Sequence, residues 1–515
     1  MNLTYFSFFI CIIVCTLIIT YWAAKRSNTT NRFYTAAGSL TGFQNGLAIS
    51  GDFISAASFL GIVGTIALHG YDGFFYSVGF LVSYLVVMFL IAEPVHHLGK
   101  YSLADVVCYR FNSNSLRSIM AFGTLTISFL YMVPQLVASG LLLRLLLDID
   151  YSISVMVIGG LMTIYVVFGG MIATSWVQIV KTVVLLSGTF LLSLIVLSRF
   201  HWNPSAIITE VIHQSPLREK FFLPGKLLDS PVELVSLQLA LLLGTAGLPH
   251  ILIRFFTVRN TKEVRRSILS AAWVIGSFYL ITLILGFGAI ALIGYDRLVA
   301  ADATGNLAAP LLAKELGGDF LLAFISAIAF TTIVAVVAGL VISATTAFSH
   351  DIYHHIIKKE KATEEEQLRA ARLTALGIGL ISTIFALRME NMNVTFLVSL
   401  TFTVAASSNF PVLLLTIYWK RFNQTGAITG MVTGLTASLA CLILGPHIMN
   451  PIGGWIASKP LFPLYNPGII AIPVGFISAI IASLVSRKSS QEKDEERTQF
   501  FIKAQTGIDM RGKSM

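Results

Sequence analysis

Apolar runs of about 20 residues recur from one end of the chain to the other, each long enough to cross a ~30 Å hydrocarbon core as a helix. Short polar or charged segments separate them. The pattern predicts about thirteen helical spans, at 3–24, 39–69, 74–98, 116–147, 151–168, 172–199, 232–255, 267–294, 319–349, 370–388, 393–419, 425–446 and 467–486. A transmembrane barrel is disfavoured, because its strands would alternate apolar and polar residues over ~10 positions. The expected class is therefore an all-α polytopic membrane protein forming a single domain over 1–515, with a tail at 487–515.

Composition supports this reading. The chain has 515 residues, 55% of them hydrophobic and 12% charged, with a mean hydropathy of +0.79. A soluble domain carries about 25% charged residues. The formal charge of +9 matters mainly for where it sits. No basic residue precedes the first run, whereas Lys25 and Arg26 follow it. That is the wrong polarity for a cleaved signal peptide, and it predicts a retained span with the N-terminus outside. Thirteen spans then place the C-terminus in the cytoplasm. Loops at Lys25–Arg32, Lys100–Arg117, Arg254–Arg266, Lys358–Arg372 and Lys420–Arg421 fall inside with the tail. With Lys181, expected to snorkel from a helix end to the inner interface, about 26 Lys and Arg residues lie inside and about 9 outside. The expected location is the cell membrane, with lipid as the surrounding partner and no nucleic-acid partner.

Cys11, Cys15, Cys108 and Cys441 have no metal-ligand spacing and are read as small packing residues. The pairs His96–His97 and His354–His355 are adjacent in sequence, so their side chains diverge on a helix and neither pair makes a metal site alone. The segment 350–369 reads as a solvated amphipathic extension of the preceding span.

Two spans carry interruptions. In 39–69, Ser50, Gly51, Asp52, Ser55 and Ser58 fall near the middle. An ionised Asp at bilayer depth costs about 2.5–3.5 kcal/mol on insertion scales, so Asp52 should face a cavity or a partner. Gly51 beside it weakens the helix. Opened backbone at the midplane exposes carbonyls that suit a cation and amides that suit a carboxylate. A local kink with Asp52 bonded to a neighbouring helix is the alternative. In 232–255, Pro249 removes a backbone donor in "GTAGLPHILIRF". These two breaks lie five spans apart, as in transporters built from two inverted repeats with a site at the midplane. Spans 39–199 would form one repeat and 232–419 the other.

Further polar residues within spans are candidates for the cavity: Tyr131, Gln135, Gln178, Thr331, Thr332, Thr401, Thr403, Ser407 and Ser408. A lone Ser or Thr more often bonds its own helix backbone. Pro134, next to Gln135, predicts a kink. Enzyme signatures are absent: there is no Walker A sequence, no HExxH and no GxSxG. The expectation is a secondary transporter, not an enzyme, with no cofactor.

Along roughly residues 3–505 the chain resembles the sodium:solute symporter family. The resemblance rests on "ISGDFISAASFLG" (49–61), "YSLADVVCYRF" (101–111), "VFGGMIATSWVQIVKT" (167–182), "GTAGLPHILIRFFTV" (244–258), "SHDIY" (349–353) and "AASSNFPVLLLTIYW" (405–419). Within the family it looks most like the cation/acetate symporter branch. The resemblance implies a LeuT-like core of two inverted five-helix repeats, one extra helix before it (3–24) and two after it (425–486). It implies a cation site, sodium in the family, at the backbone carbonyls of Ser50 and Phe53 with Asp52 beside them. Relatives add two adjacent hydroxyl residues about fifteen positions before the "D-I-Y" motif. Counting back from Asp351 reaches Ala335 and Val336, which carry no hydroxyl, and Thr331 and Thr332 stand one turn earlier as substitutes. Many relatives also carry Trp-Thr-Asp where this chain has Trp176, Val177 and Gln178. A neutral amide lacks that carboxylate charge, so at most one sodium per cycle is expected.

The function so implied is cation-coupled uptake of a short monocarboxylate such as acetate by alternating access. Ser55, Ser58 and opened backbone amides of the span 39–69 would meet the anion, Gln135, Gly244 and Thr245 would line the other side, and Phe53 or Phe59 would suit a methyl group. Gly51 and Pro249 would serve the breaks themselves. No midplane Arg is evident, which argues against a large polyanionic solute. Sodium- or proton-coupled uptake of propionate, pyruvate, proline or pantothenate, passive facilitation, and a sensing role are the alternatives.

Overall fold

The computed structural model describes residues 30–167, 170–228, 230–451, 455–486 and 494–509, with isolated positions between 7 and 22. The expected span at 3–24 lies largely outside the described residues. The described chain is nearly all helical. α1 (Gly42–Phe53) and α2 (Ala57–His69) form one broken span bent by 64°. α3 (Tyr71–Leu98), α4 (Leu103–Phe111), α5 (Asn114–Leu147), α6 (Tyr151–Val167) and α7 (Met171–Arg199) follow. α8 (Pro231–Gly247) and α9 (Pro249–Thr257) make a second broken span, bent by 45°. After it come α10 (Thr261–Ile293), α11 (Ala308–Ile357), α12 (Glu364–Ala386), α13 (Val394–Tyr418), α14 (Gln424–Leu444), α15 (Gly468–Val485) and the tail helix α16 (Asp494–Thr506). These helices account for every expected span after 3–24.

Local chemistry sets the boundaries. Thr41 caps α1 in a reciprocal box with Gln44, and Thr363 caps α12 in the same way with Glu366. α1 stops because Ile54 leaves the helical region (φ −74°, ψ 88°). At the second break Leu248, held extended by the proline that follows it, has ψ 115°. Pro249 then opens α9 at a position where a missing N–H does no harm. α11 is kinked at Gly317 and Gly318, and Gly318 has φ +62°, a left-handed conformation suited to glycine. The kink falls where the sequence places the start of that span. Its C-terminal end runs on to Ile357, which is the predicted extension of 350–369 shortened by a turn at Lys359 and Glu360. α5 stays helical through Pro134.

The packing carries a twofold pattern. α1 and α2, α3, α5, α6 and α7 are five spans, and α8 with α9, α10, α11, α12 and α13 are five more. α1 packs on α10 as α8 packs on α3. α7 packs on α11 as α13 packs on α5. Each fifth span packs on the broken span of its own set, and α5 meets α11 across the axis. α14 and α15 pair with each other and lean on α13. The tail helix docks too: Phe500 and Ala504 are buried, and His97 Nδ1 sits 2.9 Å from the Ala504 carbonyl. Arg110 ties α4 to the end of α13 by donating to the carbonyls of Thr416, Trp419, Lys420 and Phe422 at 2.9–3.1 Å.

Candidate functional site

The first break opens onto a buried polar cluster that the second broken span also enters, through Arg254. Asp52, wholly buried on α1, forms an ion pair with Arg254 Nε on α9 and accepts from Gln178 Nε2 on α7. Gln178 Nε2 also donates to the Ala335 carbonyl of α11 at 2.7 Å. Arg254 Nη1 donates to Ser175 Oγ at 2.7 Å. Lys181, 1% exposed, donates from Nζ to the carbonyls of Gly51 and Ile54, the latter at 2.7 Å. Four helices thus meet on one carboxylate. Such burial needs full pairing, because an unpaired charge at this depth is strongly unfavourable. Below the cluster, Asn45 Nδ2 donates to the Arg254 carbonyl at 3.1 Å and Thr257 donates to Asn45 Oδ1 at 2.8 Å. α1 and α9 are therefore fastened to one another.

Beside the cluster lies an aromatic wall. Phe53 packs against Tyr84, Phe80 and Phe402 with ring centroids 4.7–6.2 Å apart. Tyr131 sits 5.0 Å from the His250 ring. Polar groups break this wall. Ser58 Oγ reaches the Phe53 carbonyl (3.4 Å) and the Tyr279 hydroxyl (3.2 Å). The Ala56 N–H donates to Gln135 Oε1 at 3.3 Å. Gln135 Nε2, the Tyr84 hydroxyl and both His250 ring nitrogens are buried and find no hydrogen-bond partner among the described residues. Buried polar groups are normally paired, so unpaired groups gathered along an aromatic wall suit a small polar ligand.

Beyond the wall, past α2, lies a cavity of about 460 Å³ lined by Thr65, His69, Tyr76, Leu237 and Phe396. At the opposite end the helices are latched together. Arg117 bridges Asp105 (2.7 Å) and Asp351 (2.9 Å), and Ser102 Oγ donates to Asp351. Burial alone would raise the Asp105 carboxyl, but His350 and Arg117 hold it well below the usual carboxylate range. Asp105, Asp351 and His350 lie close enough to share a metal, but the Arg117 guanidinium already supplies the positive charge between the carboxylates.

The sequence-derived residues fall as follows. Ser50 is buried at the break, yet its carbonyl accepts the Ile54 N–H at 2.8 Å and its hydroxyl returns to Gly46. The Phe53 carbonyl faces Ser58. Gly51 and Ile54, rather than Ser50 and Phe53, turn their carbonyls to α7. Thr331 and Thr332 hydroxyls donate to Ala327 and Ile328 of their own helix at 2.9 Å, and α11 meets Asp52 further along, at Ala335 and Gly339. Ser55 Oγ is buried beside the Tyr131 hydroxyl. Thr245 donates to Ser83 Oγ at 2.7 Å, and Gly244 lies against the Phe402 carbonyl, where a Cβ would come within 2.5 Å. Phe59 packs on Phe278.

Two sequence expectations are corrected. Lys181 does not reach the interface, because the freed carbonyls of α1 offer its ammonium partners in the interior. Arg254 is not a loop charge, and the site does contain an arginine: it is 1% exposed and paired with Asp52. The available signal was a single Arg inside the apolar run "LPHILIRFF". His250, Tyr84, Tyr279 and Phe402 were also missed, since an aromatic in an apolar run carries no sign of which face it takes.

A helical bundle with paired broken spans, a buried charge cluster at the breaks and a cavity at one end is the architecture of a secondary transporter. The profile of the sodium:solute symporter family matches residues 33–434, and the chain belongs to that family. It is 53% identical over 511 residues to an uncharacterised symporter, YwcA, of Bacillus subtilis (strain 168), covering 99% of both chains. Among solved structures it is similar to a sodium-coupled sialic acid symporter in a substrate-bound, outward-open state, with a TM-score of 0.74 at 17% identity over 95% of this chain and 100% of that one. It is also similar to Mhp1, a nucleobase-cation-symport-1 family transporter in a closed conformation, with a TM-score of 0.54 at 11% identity over 93% of this chain and 99% of that one. The fold is LeuT-like, and the protein is a multi-pass membrane transporter rather than an enzyme.

Proposed function

We propose that the protein imports a short monocarboxylate, acetate foremost, together with one cation, sodium being the ion its family implies. The carrying observation is the charge balance of the buried cluster. Asp52 contributes one carboxylate, and Arg254 and Lys181 contribute two cationic groups. As ionised groups they leave one positive charge in the interior, and a co-bound cation adds another, so the site favours an anionic solute. The wall of Phe53, Tyr84 and Phe402 suits a short alkyl group, and Gln135 Nε2, Ser55 and Ser58 offer hydrogen bonds to a carboxylate. The resemblance to the cation/acetate branch supports the same solute. In this reading 39–199 and 232–419 are the two repeats that rock about the site. The N-terminus lies outside and the tail in the cytoplasm, consistent with the excess of Lys and Arg in the loops assigned inside.

Competition against labelled acetate tests the solute. Unlabelled acetate and propionate are expected to suppress uptake, while proline, pantothenate and neutral acetamide leave it unchanged. Uptake of proline or pantothenate with no uptake of acetate would replace the monocarboxylate reading.

A further inference from the structure

A helix opened at bilayer depth leaves carbonyls without partners, and membrane proteins satisfy such groups from ions, waters or neighbouring side chains. At the α1 break the partner is covalently attached. Lys181 Nζ reaches from α7 to the Gly51 and Ile54 carbonyls, with the ammonium buried and its stem packed between helices. Among the described residues, the charged groups around it are Asp52 on α1 and, through that carboxylate, Arg254 on α9. α7 adds the neutral Gln178 and Thr182, and α11 presents Ala335 and Gly339. α10 bears no charged residue after Arg266, and Arg32 on the short helix Thr30–Thr35 is exposed. Two carbonyl dipoles and a nearby carboxylate are the surroundings that hold a small free cation. Here they hold an ammonium.

We propose that Lys181 is a tethered cation filling the carbonyl cradle of the α1 break, so that the wild-type chain binds one free cation fewer than a chain with a neutral residue at this position. The inference rests on the cation-coupled reading of the site and deepens it: Lys181 becomes the residue that sets how many ions accompany the solute. An alanine would leave the Gly51 and Ile54 carbonyls facing a space the size of the lost ammonium. Sodium or methylammonium fits such a space, while choline is too large.

The test uses the full-length protein purified in detergent without solute, with thermal unfolding followed against sodium, methylammonium and choline chlorides at constant ionic strength. Lys181→Ala is expected to gain a saturable rise in Tm with sodium and methylammonium that exceeds the wild-type rise, and none with choline. Lys181→Arg, which keeps the charge, is expected to follow the wild type. Equal cation responses in Lys181→Ala and wild type would overturn the proposal. So would a Lys181→Ala protein that folds in none of these salts while Lys181→Arg folds, since no external cation could then take the ammonium's place. Failure of the monocarboxylate reading would register separately, as absence of acetate uptake by the wild type.

Discussion

Replacing Arg254 with Ala is expected to abolish transport and to lower stability by about 3–5 kcal/mol, the usual cost of breaking a buried ion pair by removing one partner. Arg254 holds Asp52 through Nε and Ser175 through Nη1. Truncation leaves the Asp52 carboxylate with Gln178 and Lys181 alone. The double variant Asp52→Asn with Arg254→Gln removes both charges and is expected to recover most of the lost stability but no transport. Thermal unfolding in detergent and uptake in proteoliposomes would separate the two effects. Full activity in Arg254→Ala would show that the pair is only a packing feature.

Gly51→Ala is the second large effect. A Cβ there would lie 2.5 Å from Gln178 Oε1 and 2.7 Å from Thr182 Oγ1. Neither side chain can retreat cheaply. Gln178 is fixed by Asp52 and by the Ala335 carbonyl, and Thr182 by the Leu47 and Gln178 carbonyls. Overpacking of this kind costs about 1–3 kcal/mol, and because it moves the groups that hold Asp52, uptake is expected to fall about tenfold or more. Gly160→Ala is the matched control, since nothing lies within 4 Å of a Cβ at that exposed position. Equal uptake by the two variants would remove Gly51 from the site.

Much of the fold was legible in the sequence, because the length of apolar helix that spans a bilayer is fixed by the bilayer's thickness. The breaks could be located from Gly51 and Pro249, since both act on backbone geometry within a few residues. The partners of those breaks were harder to find. Arg254 and Lys181 follow statistical rules that send a lone basic residue to the interface, and those rules fail where freed carbonyls or a buried carboxylate offer a better partner. Gln178 was noticed as a missing charge, yet its role in joining α1, α7 and α11 depends on which carbonyl comes within reach. Thr331 and Thr332 illustrate the converse. A hydroxyl in a helix satisfies itself on the preceding turn, so its presence at the right spacing does not establish that it faces a ligand.

The most direct test of cation-coupled symport at the breaks is accumulation of labelled acetate in proteoliposomes under an inward cation gradient. The potential is clamped at zero or at 100 mV inside negative, in wild type and Asp52→Asn. One cation moving with one monoanion carries no net charge, so the ~2.3 kcal/mol per charge available at 100 mV contributes nothing. The predicted result is accumulation that follows the cation gradient, is indifferent to the potential, and is lost in Asp52→Asn. Accumulation that rises several-fold with potential at equal cation concentrations would contradict it, as would solute that only equilibrates across the membrane.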